Sequence, residues 1–366
     1  MKNATSLSRN VANPEREIRA SILSLATSVP PHVIRQSDVV TYARMIFAKK
    51  YGDFEKMAGV FETSGIGKRH FIMPADWYLE DRGWTDRTAA YLDGAAKLFV
   101  ASARKALDAA ECPASDIDTI VTVSSTGIAT PSLEARVALS MGFRADVERV
   151  PIFGLGCAGG VSGLSVAARL AQSRPGTNVL FVAVEICSAA VRLDQTTKAN
   201  IVATALFADG AAACILRAGT DQGIAQVVAA GQHLWPDTLK IMGWEVDQHG
   251  FEVVFDKSIP PFAQAHFGAA VEQILEKMAI SRDSIDRFAC HPGGSKVIVA
   301  LERALAMEQG TLDHERIVLN DYGNMSAPTV LFVVERLIEA GLPEQTVMTA
   351  LGPGFTASCL AFKKAA

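Results

Sequence analysis

The residues best suited to chemistry are a cysteine, a histidine and an asparagine in three separate glycine-containing segments. Cys157 lies in GLGCAGG, His291 in HPGG and Asn324 in GNMS. The segment around Cys157 has the pattern of a strand, a tight turn and a helix that ends at Pro175 and Gly176, so the sulfur should lie at a helix N-terminus. Backbone N–H groups and the helix dipole stabilise a thiolate there, and flanking glycines would let a large substrate approach. This pattern predicts a nucleophilic cysteine.

Together, the three residue types suit acyl transfer. A histidine can activate a thiol, and a carboxamide can orient a group or donate a hydrogen bond to a developing oxyanion. A Cys-His-Asn protease fits the same description. Neutral N–H donors in the HPGG turn beside His291 suit a negatively charged enolate better than a scissile peptide, so the enolate is the favoured interpretation.

Composition narrows the class of protein. The chain has 366 residues, 49% hydrophobic and 20% charged, which predicts a large buried core. A net charge of -4 with scattered basic residues argues against nucleic acid as a partner. No stretch reaches the length of an uncharged membrane span, so we expect a cytoplasmic protein and not an integral membrane protein. The six cysteines lack zinc-ligand spacing, so we expect neither a metal site nor a disulfide framework.

The two halves of the chain repeat each other. LFVASARKALDAAECPASDIDTIVTVSSTG resembles AAVEQILEKMAISRDSIDRFACHPGG, each with a helix, a short connection and a strand. The segment around Cys157, VERVPIFGLGCAGGVSGLSVAARLAQSRPGTNVLFVAVEI, then aligns with ERIVLNDYGNMSAPTVLFVVERLIEAGLPEQTVMTAL as strand, turn, helix and strand. This predicts an α/β fold of two duplicated halves, with the three site residues meeting at one place. We expect an N-terminal extension over 1–20, halves over 21–222 and 223–366, and a lobe over the site from about 231 to 261.

Four motifs in this order, GLGCAGG, HPGGSK, LNDYGNMSAPTVLF and ALGPGFTAS, resemble the type III polyketide synthases, the chalcone and stilbene synthase-like branch of the thiolase fold. The resemblance covers about Ile22 to Phe362 and implies a homodimer with a five-layered αβαβα core. It implies that Cys157 carries the starter and the growing chain, and that His291 also lowers the pKa of this thiol. His291 and Asn324 would bind the thioester oxygen of malonyl-CoA during decarboxylation.

Acyl-CoA and malonyl-CoA are then substrates, and the reaction needs no metal and no redox cofactor. Degradative thiolases use a second cysteine near the C-terminal glycine turn, where this chain has GPGF. This difference argues against a thiolase. The ketoacyl synthases that initiate fatty-acid synthesis usually show HQAN and GNTS, where this chain has HPGG and GNMS. An enzyme of this second kind, which performs a single condensation, is the alternative.

The resemblance also assigns residues to the substrate pocket. Phe207 matches one of two phenylalanines that gate the cavity in the plant enzymes, and Val253 stands at the second gate. Thr130 stands where those enzymes place a methionine that crosses the dimer interface, and Ala190 replaces a larger polar residue. These smaller side chains predict a wider apolar space near Cys157, unless packing compensates. The full set assigned to substrate binding is Phe207, Thr130, Ala190, Val253, Pro353 and Gly354.

Coenzyme A carries phosphates, so basic side chains should surround the opening of its tunnel. The resemblance places Lys56 there, although Gly59 and Thr63 stand where the family has two further basic residues. The backbone at Gly293 and Gly294 is expected to hold the pantetheine arm. Three other basic residues are candidate replacements: Lys68, Arg69 and Lys296.

Segments such as MPADWYLEDRGW and LWPDTLKIMGWEVD resemble the bacterial branch that makes alkylpyrones and alkylresorcinols from fatty acyl-CoA. We therefore hypothesise a medium or long-chain acyl-CoA starter and two or three malonyl extensions. Naphthalene-tetrol synthases would have a cysteine in place of Thr130, which argues against malonyl-CoA as the starter, although malonyl priming stays an alternative. The ring type and delivery by an acyl carrier protein stay open. Glu185, in VEICS, is expected to be a buried hydrogen-bonding residue.

Overall fold

The structure, a computed structural model, describes residues 18–365 except 48–51, 53, 193 and 196. The strands are β1 (Ala20–Ser28), β2 (His32–Arg35), β3 (Lys68–Phe71), β4 (Ile117–Val123), β5 (Glu148–Ile152), β6 (Asn178–Ile186), β7 (Asp209–Ala218), β8 (Ala225–Leu234), β9 (Met242–Asp247), β10 (Gly250–Phe255), β11 (Arg287–Cys290), β12 (Gln345–Gly352) and β13 (Thr356–Lys364). The α-helices are α1 (Gln36–Phe47), α2 (Phe54–Glu62), α3 (Trp84–Ala109), α4 (Leu133–Met141), α5 (Gly159–Ser173), α6 (Lys198–Leu206), α7 (Ile259–Lys277), α8 (Ser295–Ala304), α9 (Asp313–Tyr322) and α10 (Thr329–Glu339).

Within these residues a nine-stranded sheet runs in the order β11-β12-β13-β8-β1-β7-β6-β4-β5. In the first half, β6 is parallel to β4 and antiparallel to β7. In the second half, β12 is parallel to β11 and antiparallel to β13. This shared order confirms the predicted duplication. The halves join where β1 pairs with β8 at Ser21 and Ile22.

The layers follow from where the apolar faces of the helices are buried. Helices α5 and α10 share one core with both halves of the sheet, for example with Phe181 of β6 and Met348 of β12. Helix α3 covers the other face of the first half, while α7 and α8 cover that of the second. The resulting order of helix, sheet, helix, sheet and helix is the predicted αβαβα arrangement.

Helix α5 can occupy the middle layer because its sequence, GGVSGLSVAARLAQS, is rich in small residues. A Cβ atom at Gly160 would lie 2.2 Å from the carbonyl oxygen of Ala327. At Gly156, just before the helix, a Cβ atom would lie 2.7 Å from the ring of Pro353. These glycines serve the close packing of the protein itself, and not the approach of substrate that we expected.

The segment ERIVLNDY forms helix α9, so its prediction as a strand was wrong. The isolated IVL run resembles a strand, but the buried positions are spaced by three and by one, as on one face of a helix. Ile317, in the middle of that run, is 38% exposed. Asn324 therefore follows a helix, unlike the other two predicted site residues. The buried side chains of α9 are Glu315, Val318 and Leu319.

The predicted lobe contains a β-hairpin, β9 and β10, between the end of β8 and the start of α7. In this hairpin the ring of Trp244 packs on those of Phe207 and Phe251. Of the predicted extension over 1–20, only the last three residues are described, and Ala20 already begins β1. Across the described ranges, every helix is too short or too polar to cross a bilayer.

Candidate active site

Cys157, His291 and Asn324 line one small chamber, as predicted. Cys157 lies in a single 3-10 turn that leads into α5, His291 follows β11, and Asn324 lies between α9 and α10. Only 8%, 5% and 1% of these residues are exposed. The chamber has a volume of about 20 Å³, which holds roughly one water molecule. The fold thus brings the three segments together in a nearly closed space.

The side chain of Asn324 is held in one orientation. Its Oδ1 accepts a hydrogen bond from the main-chain N–H of Ser326 at 2.8 Å, and its Nδ2 donates to the carbonyl of Gly293 at 3.2 Å. Its backbone bonds to Leu206 and Ala208, both at 2.9 Å. A carboxamide nitrogen carries two hydrogens, and the second one faces the sulfur of Cys157, so an arriving ligand oxygen must take the place of the sulfur.

Ser326 is a site residue that the sequence analysis missed. Its φ of 61° is a left-handed conformation that is strained for a residue with a side chain. This conformation directs the N–H of Ser326 to Asn324, while its hydroxyl is hydrogen-bonded to the sulfur of Cys157. Ser326 ends the GNMS motif, so the motif carried the signal. It fixes the nucleophile relative to the carboxamide.

Both ring nitrogens of His291 are buried and have no hydrogen-bond partner. The main-chain N–H of His291 donates to the carbonyl of Thr349 at 2.8 Å, which fixes the backbone. Burial lowers the pKa of the imidazole to about 3, so the ring is neutral at pH 7. A neutral imidazole has one donor and one acceptor nitrogen. Because unpaired buried polar atoms are costly, these nitrogens mark a place for a ligand's polar group.

Burial raises the pKa of the Cys157 thiol to about 11. The charge of Glu185 acts in the same direction, whereas hydrogen bonds with Ser326 and Asn324 act against it. The expectation that the helix N-terminus and His291 lower this pKa was therefore wrong for the closed chamber, because desolvation outweighs the hydrogen bonds that favour the thiolate. The resting nucleophile is a thiol that must lose its proton when it attacks.

Glu185 is fully buried and hydrogen-bonded, as predicted. Its Oε2 accepts hydrogen bonds from the N–H of Ser125 at 2.9 Å and from the hydroxyl of Thr126 at 2.7 Å. Its Oε1 has no partner. Burial raises the pKa of this carboxyl to about 8, so it is mostly protonated at pH 7.

A second and larger cavity, of about 630 Å³, adjoins the chamber and is called the outer cavity below. Phe255 and Gly293 line both spaces. Gly294 also lines the outer cavity, as does Lys296, one of the proposed replacements. Two further lysines of this lining carry no motif in the sequence and were missed: Lys198 and Lys257.

Other basic residues assigned to coenzyme A lie elsewhere. Lys56 is exposed on α2, a helix that contributes other residues to the outer cavity. Lys68 is exposed and is not part of that lining. Arg69 is only 2% exposed and donates from Nη1 to the carbonyls of Thr204 and Phe207, at 2.8 and 2.6 Å. Its proposed role as a phosphate ligand was therefore wrong.

On strand β10, where Val253 was predicted as the second gate, the residue whose ring contacts Phe207 is Phe255. The two ring centroids are 6.2 Å apart, and Trp244 lies 6.3 Å from Phe207 on the other strand of the hairpin. Val253 lies on β10 opposite Trp244 and is not part of the chamber lining. Phe255, two residues further along the same strand, is part of it.

The remaining assigned pocket residues lie outside the chamber lining. Thr130 is exposed, and Ala190 is buried at the end of a short 3-10 helix. Pro353 packs against Gly156, so it supports the turn that carries the nucleophile. The carbonyl of Gly354 accepts a hydrogen bond from the hydroxyl of Thr238 at 2.9 Å.

Known proteins resemble this chain in sequence and in fold. A 1,3,6,8-tetrahydroxynaphthalene synthase from Streptomyces peucetius subsp. caesius is 37% identical over 92% of this chain and 91% of its own length. A putative chalcone synthase from Bacillus subtilis is 33% identical over 94% of this chain and 98% of its own length. The crystal structure of 1,3,6,8-tetrahydroxynaphthalene synthase from Streptomyces coelicolor, a bacterial type III polyketide synthase, matches with a TM-score of 0.89. It is 28% identical and covers 94% of this chain and 99% of its own.

Residues 8–221 match the profile of the chalcone and stilbene synthases, N-terminal domain, and residues 226–364 match that of the C-terminal domain. Together the two profiles span nearly the whole chain, which excludes the protease and the single-condensation ketoacyl synthase. The chain therefore belongs to the chalcone and stilbene synthase family and is a type III polyketide synthase, an acyl-transferring enzyme that condenses malonyl units from malonyl-CoA.

Proposed function

We propose that this enzyme extends a medium or long-chain fatty acyl-CoA starter with two or three malonyl units and cyclises the product to an alkylpyrone or alkylresorcinol. In the loading step, His291 takes the proton of the Cys157 thiol. The sulfur attacks the thioester carbonyl of the starter, and the thiolate of coenzyme A leaves and takes up that proton. The acyl group is then held as a thioester on Cys157.

Extension follows from the two donors beside the sulfur. The bond between the carboxylate and the α-carbon of malonyl-CoA breaks, carbon dioxide leaves, and the electron pair forms an enolate. Its oxygen accepts hydrogen bonds from the imidazole of His291 and the carboxamide of Asn324. The enolate carbon attacks the thioester and displaces the sulfur of Cys157, giving a β-ketoacyl-CoA two carbons longer. Transfer of this product back to the sulfur starts the next cycle.

The observation that carries the proposal is the composition of the chamber. It combines one nucleophile with a buried imidazole whose nitrogens are unpartnered. The rest of its wall is mainly apolar, which favours an aliphatic group on the sulfur over a charged one. The apolar side chains include Met242, Phe255, Ile259, Phe267, Val297 and Leu301.

We propose that the outer cavity takes coenzyme A. Its three lysines would bind the phosphates, and the backbone at Gly293 and Gly294 would border the pantetheine arm next to the chamber. Decarboxylation itself supplies the carbon nucleophile, so we propose that neither a metal nor a redox cofactor takes part.

We further propose that the enzyme is a homodimer. The segment around Thr130 exposes apolar side chains, because Ile128 is 51% exposed and Leu139 on the following helix is 95% exposed. A second subunit that covered these side chains would remove their apolar surface from water. Sedimentation equilibrium should give twice the mass of the chain, and a monomer at micromolar concentration would contradict the dimer.

A second candidate is a synthase primed by malonyl-CoA itself. Three relatives favour it, because they are named 1,3,6,8-tetrahydroxynaphthalene synthases, the group that the sequence analysis connects with malonyl priming. The two functions differ in the origin of the first carbon atoms of the product.

Product analysis tests the proposal. The purified enzyme is incubated with ¹³C-labelled malonyl-CoA and unlabelled acyl-CoA starters from acetyl to palmitoyl, with the Cys157→Ala variant as control. We expect pyrones or resorcinols that contain one unlabelled alkyl chain and several labelled two-carbon units. Products in which all carbon atoms derive from labelled malonyl-CoA, whichever acyl-CoA starter is added, would instead favour malonyl priming. A single extension that requires acyl carrier protein would contradict iteration.

A further inference from the structure

The C-terminal end of helix α6 holds the main chain of Asn324. A helix leaves its last carbonyl groups without partners inside the helix, so other segments must supply the donors. The carbonyl of Leu206 accepts a hydrogen bond from the main-chain N–H of Asn324 at 2.9 Å, and the N–H of Ala208 donates to the carbonyl of Asn324 at 2.9 Å. The position of Asn324 therefore depends on how firmly this helix end is fixed.

The guanidinium of Arg69 binds the same helix end on both sides of Leu206. Its Nη1 donates to the carbonyl of Thr204 at 2.8 Å and to that of Phe207 at 2.6 Å. Burial lowers the pKa of Arg69 to about 9, so the group is still a cation at pH 7, and a cation is favoured at a helix C-terminus. Only 2% of Arg69 is exposed, so the two carbonyls depend on this side chain and not on bulk water.

The stem of Arg69 also packs against the residue before Asn324. Gly323 has a φ of 72°, a left-handed conformation that favours glycine. A Cβ atom at Gly323 would lie 2.8 Å from Cγ and Cδ of Arg69 and 3.1 Å from the carbonyl oxygen of Leu206. The turn that leads from α9 to Asn324 thus lies directly on the side chain of Arg69.

Arg69 reaches the chamber only through these contacts. The described residues that line the chamber include Asn324 but not Arg69. The carboxylate of Asp209, whose charge acts on Arg69, is hydrogen-bonded to the N–H groups of Ser188 and Ile72, at 2.8 and 2.9 Å. The hydrogen bonds of the guanidinium therefore go to the end of α6.

We propose that Arg69 is a positioning residue for decarboxylation, which fixes the end of α6 and Gly323 and thereby holds the carboxamide of Asn324 in place beside His291. This inference rests on the proposed role of Asn324 in binding the thioester oxygen of malonyl-CoA. A displacement of about 1 Å between reacting groups lowers the rate roughly 10²-fold. The reactivity of the Cys157 thiol should depend little on Arg69, because the turn that carries it belongs to a different segment.

Two reactions, measured separately, test the inference. Release of carbon dioxide from malonyl-CoA alone reports on the two donors and needs no starter. Alkylation of Cys157 by iodoacetamide, followed by mass spectrometry of the Cys157 peptide, reports on the nucleophile and on the integrity of the chamber. The ratio of the two rates separates a displaced carboxamide from a general loss of structure.

The variants are Arg69→Met, Arg69→Lys, Asn324→Ala and the double variant of Arg69→Met with Asn324→Ala. Arg69→Met keeps an apolar stem and removes the donors, while Arg69→Lys keeps the charge on a shorter side chain. The matched control is Arg87→Met on α3, which also removes a buried arginine that donates to two main-chain carbonyls.

We expect Arg69→Met to slow the release of carbon dioxide by about 10- to 100-fold, with less than a threefold change in alkylation of Cys157. Arg69→Lys should lose about three- to tenfold in the first rate only, and this variant decides the matter if Arg69→Met does not fold. Arg87→Met should keep the wild-type ratio of the two rates. Adding Arg69→Met to Asn324→Ala should cause no further loss, because both changes act on one group.

The inference is overturned if the folded Arg69 variants release carbon dioxide at the wild-type rate, or if both rates fall by the same factor. An additional tenfold loss in the double variant would overturn it as well, because Arg69 would then act independently of Asn324. Wild-type release of carbon dioxide by Asn324→Ala would overturn the proposed function, and this inference with it.

Discussion

The packing of Gly160 against Ala327 should control the rate of condensation, and Gly160→Ala tests this. The added Cβ atom would lie 2.2 Å from the carbonyl oxygen of Ala327 and 3.0 Å from a methyl group of Val330. A carbon and an oxygen normally approach to about 3.3 Å at closest, so α5 and the segment before α10 must separate by roughly 1 Å. Overpacking of this kind costs about 1–3 kcal/mol.

The separation also acts on the chemistry. Cys157 lies three residues before Gly160, and Asn324 lies three residues before Ala327, so the same contact sets the distance between nucleophile and donor. A displacement of about 1 Å between reacting groups lowers the rate roughly 10²-fold. We therefore expect Gly160→Ala to lose about that factor in the rate of product formation, in addition to its loss of stability.

Two glycine variants are matched controls. Gly163→Ala overpacks the same helix one turn further on, where the Cβ atom would meet side chains of Val123 and Phe181 at 2.5 and 2.7 Å. Gly59→Ala places its methyl group in open space. Denaturant unfolding and initial rates should show Gly163→Ala destabilised but within a few-fold of wild-type activity. Gly59→Ala, which replaces a glycine inside α2, should keep wild-type activity and be stabilised by up to about 1 kcal/mol. Wild-type turnover in Gly160→Ala, or an equal loss of activity in Gly163→Ala, would refute this reasoning.

Two further predictions concern pH and coenzyme A. The pKa of Glu185 is about 8 in the folded chain against an ordinary 4.5. The contribution of this carboxyl to stability is therefore fully present below pH 4.5 and is lost as the pH rises towards 8. The free energy of unfolding of Glu185→Gln should therefore rise relative to that of wild type by on the order of a few kcal/mol between pH 5 and 8. The same difference between variant and wild type at both pH values would contradict this. Lys296→Ala should raise KM for malonyl-CoA several-fold at unchanged kcat, more so at low salt. Lys68→Ala, which lies outside the outer cavity, should leave KM for malonyl-CoA unchanged. Equal increases of KM in both variants would refute the assignment of the outer cavity to coenzyme A.

The sequence predicted the layering and the three principal site residues because each leaves a local signal. The repeated pattern of helix, connection and strand became two half-sheets of the same strand order. Three glycine-containing motifs placed Cys157, His291 and Asn324 in turns or at helix starts. Helix α9 was missed because a short apolar run such as IVL fits a strand and a helix equally well.

Properties that depend on distant contacts could not be predicted. Arg69 adjoins Lys68 in the sequence, but only the fold shows that its guanidinium is buried against main-chain carbonyls. The choice between Val253 and Phe255 depends on how the hairpin packs over the site. The pKa of Cys157 depends on burial in the closed chamber, which no motif reports. Lysines of the outer cavity come from separate segments that only the fold brings together.

We propose that the chamber separates two tasks: it holds the acyl group on Cys157 and decarboxylates malonyl-CoA at His291 and Asn324. The decisive experiment measures the release of ¹⁴CO₂ from carboxyl-labelled malonyl-CoA by wild type, Cys157→Ala and Asn324→Ala, with extended products measured in parallel. Cys157→Ala should keep releasing carbon dioxide while forming no extended product. Asn324→Ala should lose about 10²–10³-fold in carbon dioxide release. Loss of decarboxylation in folded Cys157→Ala, or its survival in Asn324→Ala, would contradict the claim.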